Sequence, residues 1–188
     1  LLPKFIFLVL NNMKHSVLRY LKLWGAFFRN SLTRDMEFKM NFIADLFIDA
    51  IFYGSMYFLW AIIFSYVDVL GDFNQESVTI FLIIMYLTDT VFVFFFGGNT
   101  FNLNTMVVKG DLDLVLIKPV NPQFFMSFRY VSSYSLVSFI ILISLLLKLI
   151  YEYHGYISIV NFIIFLFSFI LGVLLFYAVE FMISCLVF

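Results

Sequence analysis

The chain has 188 residues, of which 64% are hydrophobic, 22% aromatic and only 12% charged, with a formal net charge of -1. A soluble domain is about half apolar and about a quarter charged, and a water-soluble core of this size cannot hide so much Phe, Ile and Leu. An ordinary soluble domain is thereby excluded. The lone Cys185 excludes an internal disulfide, and His15 and His154, far apart in the sequence, form no metal-binding cluster and read as interfacial polar residues.

The ends are expected to differ from the natural ones, with a C-terminal part missing after Phe188, which stops inside the apolar run Phe181–Phe188. Leu1 is not a start methionine, and Met13 followed by Lys-His-Ser-Val reads as a natural start. Leu1 to Leu10 is apolar around Lys4, but no small-residue cleavage site of a signal peptide follows. Next, Val17, Leu21, Trp24, Phe28 and Leu32 recur at helical spacing, while Lys14, Arg19, Lys22, Arg29 and Arg34 occupy much of the remaining surface. This pattern predicts an interfacial amphipathic helix within residues 1–41, its apolar side in the acyl boundary and its basic side toward anionic headgroups. The bland alternative is a soluble helix packed on a partner.

Residues 42–188 form the transmembrane part. A helix needs about 20 apolar residues to cross a bilayer. Such stretches lie near Phe42–Tyr66, Val78–Phe96, Val131–Ile150 and Ile157–Val179. They are continuously apolar, without the alternation of barrel strands, and helices satisfy their own backbone in lipid. The fold class is therefore all-α, a polytopic transmembrane helical bundle. The fourth run continues through Glu180 to Phe188, as a protruding tilted helix or the start of a fifth segment. Gly54 and Gly172 read as packing sites and Gly97-Gly98-Asn99 as a kink or close helix approach. Phe92–Phe96 reads as lipid-facing or helix-packing bulk.

Lys and Arg set the orientation. They crowd the segment before the first span, vanish from Asp68–Glu76, return as Lys109, Lys118 and Arg129, and vanish again from Tyr151–Tyr156. This places the N-terminus and the Phe101–Tyr130 loop in the cytoplasm. Lys148 is the exception, and it can snorkel outward to meet Glu152 one turn on.

That loop is the most distinctive stretch: Lys109-Gly-Asp-Leu-Asp-Leu-Val-Leu-Ile-Lys-Pro-Val-Asn-Pro122. Gly110 is expected to end a helical stretch over Leu103–Lys109, and Asp111 to cap a short helix from Leu112 to Ile117. Pro119 and Pro122 force Lys118 and Asn121 out of helical geometry, giving a stiff elbow before Phe124, Phe125 and Phe128. A plain polar turn needs no apolar run such as Leu114-Val-Leu-Ile117, so a docking surface is the better reading.

Gly110-Asp-Leu-Asp113, followed by Leu116-Ile-Lys-Pro-Val-Asn-Pro-Gln-Phe124, resembles the signature loop of type-2 ABC transporter permeases, in the six-span branch long labelled a domain of unknown function. Leu18-Arg-Tyr-Leu-Lys-Leu-Trp24, Phe27-Phe-Arg-Asn-Ser-Leu32 and Glu37-Phe-Lys-Met-Asn-Phe42 fit as well. The resemblance covers Met13 to Phe188, and further spans are expected after Phe188. It implies a membrane-spanning subunit of an ABC exporter in the bacterial cytoplasmic (inner) membrane. A second permease chain, the same or a sibling, and separately encoded ABC ATPase subunits are the implied partners. The implied ATPase-coupling loop comprises Gly110, Asp111, Leu112, Asp113, Leu114 and Leu116, with Lys118, Pro119, Asn121 and Pro122 as its exit elbow. The chain has no phosphate-loop motif, so no cofactor is expected on it; ATP and Mg belong to the partner. No catalytic residue, metal or nucleic acid is expected, and membrane lipids are.

Acidic residues within spans are costly, about 2.5–3.5 kcal/mol on insertion scales. Asp45 and Asp49 lie one turn apart at the start of the first span and read as interfacial, close to Lys39 and headgroups. Asp89 lies deepest, as a structural hydrogen bond or a cavity-lining group. Glu180 is ambiguous. An ATP-independent secondary carrier would use such acids as relays, but no acid chain or inverted repeat is evident in the sequence. A membrane-embedded enzyme would need a catalytic pair, and His154 has no evident partner. A purely structural anchor would not need the proline elbow.

Overall fold

The computed structural model describes residues 2–152 and 158–186, with all their side chains except those of residues 2–16, 100, 101 and 104. His154, most of the Tyr151–Tyr156 turn, and the side chains of Lys14 and His15 lie outside what is described.

The fold is an all-α bundle. Helix α1 (Leu2–Glu37) is followed by α2 (Lys39–Phe64), with Phe38 at the junction out of helical geometry (φ -104°, ψ 57°). A two-residue-strand hairpin, β1 (Val69–Leu70) and β2 (Phe73–Asn74), caps the far end of α2. Gly71 turns it with φ 64°, a left-handed value that glycine adopts without a Cβ penalty. Helix α3 (Gln75–Phe92) starts on Asn74, whose side-chain oxygen accepts from the Ser77 amide at 2.9 Å. A π-helical turn (Val93–Gly97) joins α3 to α4 (Gly98–Lys109). Short helices α5 (Leu112–Leu116) and α6 (Pro122–Phe128) precede α7 (Tyr134–Glu152) and α8 (Ile159–Cys185).

Four helical stretches among the described residues are long and apolar enough to cross a membrane: Lys39–Phe64, Gln75–Gly97, Tyr134–Glu152 and Ile159–Cys185. The first begins before Phe42, because Phe38, not the apolar boundary, breaks the helix. The third begins after Val131, because residues 129–133 leave the helical path. The fourth runs unbroken through Glu180 to Cys185.

Helix α3 is the centre. Val78, Leu82, Ile83, Tyr86 and Leu87 bury against Leu142 and Leu146 of α7, and Phe92 and Phe96 bury against Val173 of α8. Phe92 and Phe96 are thus core, with the aromatic run packing helix on helix. Ser135 and Ser138 are buried at the loop end of α7, where small side chains let helices approach closely. Helix α2 contributes no buried residue; only Tyr53, Trp60 and Phe64 lean on the α3–α7 core. The expected packing roles of Gly54 and Gly172 are not met within the chain, since a Cβ at either would touch nothing within 4 Å. Lys148 does reach Glu152, at 3.9 Å on an exposed surface.

Candidate functional site

The loop folds as a hairpin of short helices. Gly110 ends α4 with φ 75°, as its position in the sequence predicts. Asp111 does not cap α5: it is itself in helical geometry and its side chain makes no capping bond. Instead its backbone amide closes α4 by donating to Met106 O at 2.9 Å, a Schellman-like ending in which Gly110 supplies the turn. Helix α5 includes Leu112, Asp113, Leu114 and Leu116. It buries Val115 at 2% exposure and leaves Leu114, Leu116 and Ile117 at 59%, 54% and 79%. Val115 therefore anchors a short helix on which Leu112 is half-buried and Leu114 and Leu116 face outward, with Ile117 exposed just past its end.

The elbow is equally fixed. Pro119 sits inside a tight turn in which Val120 N donates to Lys118 O at 2.8 Å. The Lys118 ammonium lies 4.3 Å from the centre of the Phe125 ring. Asn121 is extended and caps α6 by accepting from the Phe124 amide at 3.1 Å, with Pro122 in the first turn of that helix, where its missing N–H costs nothing.

Helix α1 runs along this hairpin and holds it. Arg19 donates to Pro119 O at 2.6 Å, and the Asn121 amide donates to the Tyr20 hydroxyl at 3.3 Å. The Tyr20 ring meets Phe124 edge-on at 4.7 Å, and Phe27 meets Phe125 at 5.5 Å. Trp24 and Phe28 lie against Phe94 and Phe95 of the π turn. They are therefore half-buried on the protein, a departure from the lipid-facing stripe, while Val17, Leu21 and Leu32 stay exposed.

Between α6 and α7 the backbone leaves helical geometry, and side chains replace the missing ladder. Asn99 donates to Tyr130 O at 2.7 Å and accepts from Tyr130 N at 2.8 Å. Ser31 of α1 accepts from Val131 N at 3.1 Å, and Ser132 N donates to Phe94 O at 3.3 Å. Asp35 accepts from the amide and hydroxyl of Ser133. The π turn explains the Phe94 contact: widening the helix by one residue frees carbonyls for other donors. Amides 130 to 133 are all satisfied, as backbone buried in an apolar bundle must be. Gly98 lets the strands of chain approach, since a Cβ there would stand 3.3 Å from the Tyr130 Cβ.

Asp49 accepts from Ser138 of α7 at 2.9 Å. Asp89 accepts from the Tyr53 hydroxyl at 2.9 Å, and Thr90 lies 3.3 Å from the same oxygen. The structural-bond reading of Asp89 therefore holds. Asp45 makes no ion pair among the described residues; it lines a cavity of about 240 Å³ with Arg34, Asp35, Asn41, Ser132 and Tyr134. Glu180 is half-buried on α8, with no hydrogen bond or ion pair among the described residues.

The sequence reading missed the roles of Tyr20, Ser31 and Asp35, and found Asn99 only as part of Gly97-Gly98-Asn99, without its hold on Tyr130. Tyr20, Phe27, Ser31 and Asp35 share one face of α1, and that face, wedged between the apolar and basic sectors, is the only signal they leave. No group of His, Cys, Asp and Glu among the described residues could hold a metal ion.

These features define a polytopic helical membrane protein with a hairpin between its second and third spans that exposes apolar side chains. The chain belongs to the ABC-2 family transporter proteins, whose family pattern matches residues 50–188. That match takes in the hairpin and all but the first turns of α2, and it begins after α1. No curated protein and no solved structure matches the chain. The protein is accordingly a membrane permease of the ABC transporter class.

Proposed function

We propose that this permease is the membrane subunit of an exporter driven by ATP that separate ATPase subunits hydrolyse with Mg. The N-terminus and the hairpin face the cytoplasm, as the Lys and Arg distribution favours, and two permease chains, alike or siblings, form the path across the inner membrane. Helix α5 is the docking element. The observation that carries this is its exposure: Leu114, Leu116 and Ile117 stand outward on a helix anchored by Val115 and framed by Gly110 and Pro119. When the ATPase dimer closes on ATP, the paired α5 helices move together, and the spans rock between inward-open and outward-open arrangements.

The test is direct. Leu114→Asp with Leu116→Asp puts charges where an apolar contact is needed, and the ATPase subunit is expected to stop co-purifying while the chain stays in the membrane. Undiminished co-purification refutes the docking role. Asp89, held by the Tyr53 hydroxyl between two spans, supports one other reading, a carrier that needs no ATP. Transport that survives deletion of the ATPase subunit selects that carrier instead.

A further inference from the structure

Helix α1 has three sectors, and its own protein fills only one. Tyr20, Trp24, Phe27, Ser31 and Asp35 turn inward onto the hairpin and the π turn. These contacts fix the rotation of the helix about its axis. Next to them, Val17, Leu18, Leu21, Leu32 and Met36 form an exposed apolar sector. Beyond that lies a basic edge, and the cations on α1 divide sharply. Arg19 is spent on Pro119 O and Arg34 on Asp35. Among the described side chains of α1, Lys22 and Arg29 are the cations left without a hydrogen bond or ion pair. They are exposed and seven residues apart, so they stack on one face about 10 Å apart along the axis.

We infer that Lys22 and Arg29 form a binding edge for anionic phospholipid, with the adjoining apolar sector seated in the acyl region. Charge and continuity commit the surface to lipid. Its cations are unspent, its apolar flank is exposed, and only Phe38 separates α1 from the first residue of a membrane-crossing helix. A helix held on its inner side by its own protein, apolar on the next and cationic on the third has the cross-section of one lying along an anionic bilayer surface. Each basic residue held near such a surface raises the affinity for anionic lipid about fivefold. The inference requires no ATPase contact at α5, so it stands or falls separately from the exporter reading.

Leu21 lies in the exposed apolar sector that adjoins this edge, and Trp24 and Trp60 are the 2 tryptophans in the chain. With Trp24→Phe and Trp60→Phe, Leu21→Trp becomes the sole reporter. The full chain, alone and with its co-purifying ATPase, is reconstituted in phosphatidylcholine, and the fluorescence of that reporter is quenched with acyl-brominated phosphatidylglycerol or phosphatidylcholine. The expected result is a severalfold preference for phosphatidylglycerol. High salt should weaken it, Arg29→Lys and Lys148→Gln should keep it, and Lys22→Gln with Arg29→Gln should abolish it. Equal quenching by both lipids in the parent overturns the inference, as does a preference that survives the double substitution. A preference seen in the isolated permease but lost in the complex assigns the edge to the ATPase and also overturns it.

Discussion

Asn99 grips Tyr130 by both backbone groups, its amide nitrogen 2.7 Å from the carbonyl oxygen and its own oxygen 2.8 Å from the amide. One side chain on a helix thereby does for a broken backbone what a neighbouring strand would do. The grip ties the continuous helix from α3 to α4 to the point where the hairpin feeds into the third span. Asn99 is buried at 3% exposure, so water cannot replace it.

Removing that grip should be expensive. Asn99→Ala strands a donor and an acceptor, at about 1–3 kcal/mol for each group left unsatisfied. Asn99→Asp keeps the acceptor but turns a second oxygen toward Tyr130 O, so it should not rescue. Thermal unfolding of the detergent-purified protein checks both, and a melting point for Asn99→Ala equal to the parent's would contradict the role.

The two glycines of the hairpin frame should respond differently. At position 98 a methyl group meets Tyr130 at 3.3 Å, a contact that small shifts relieve. Gly98→Ala also gains about 1 kcal/mol of helix propensity, so its net effect should be near zero. Gly98→Leu should destabilise by about 1–3 kcal/mol through overpacking. Position 110 has open space but φ 75°, so Gly110→Ala should cost about 1–2 kcal/mol from backbone strain alone. Melting points of the three variants, measured together, separate crowding from strain.

The first span should prove the most weakly held. It buries no residue, and its polar ties are Tyr53 to Asp89 and Asp49 to Ser138. Hydrogen bonds between membrane helices average about 0.6 kcal/mol, with a maximum near 1.7. A double-mutant cycle with Tyr53→Phe and Asp89→Asn should return a coupling of that size in a reversible unfolding assay. A coupling indistinguishable from zero would mean that the bond contributes nothing to holding α2.

Asp35 should control the attachment of α1 near its C-terminal end. Asp35→Ala removes the acceptor for the Ser133 amide and hydroxyl and frees Arg34. Asp35→Asn keeps an oxygen acceptor. Amide exchange across residues 130–133 should therefore quicken strongly in Asp35→Ala and little in Asp35→Asn. Equal exchange in both variants and the parent would remove Asp35 from the clasp.

The sequence by itself determined the four spans, the helix ending at Gly110, the elbow at Pro119 and Pro122, and the outward apolar run of α5. Each follows from local physics: hydropathy over a bilayer's thickness, the φ freedom of glycine, and the ring geometry of proline. Only the tertiary structure decided which face of α1 turns inward, since Trp24 and Phe28 satisfy the apolar periodicity equally well against lipid or against Phe94 and Phe95. It alone revealed that residues 129–133 leave the helix and are spliced by Ser31, Asp35 and Asn99, residues up to 100 positions away in the chain. It also joined Asp49 to Ser138 and Asp89 to Tyr53. A polar side chain in an apolar bundle must find a partner, and no local pattern specifies which one, because that choice is made when the helices pack.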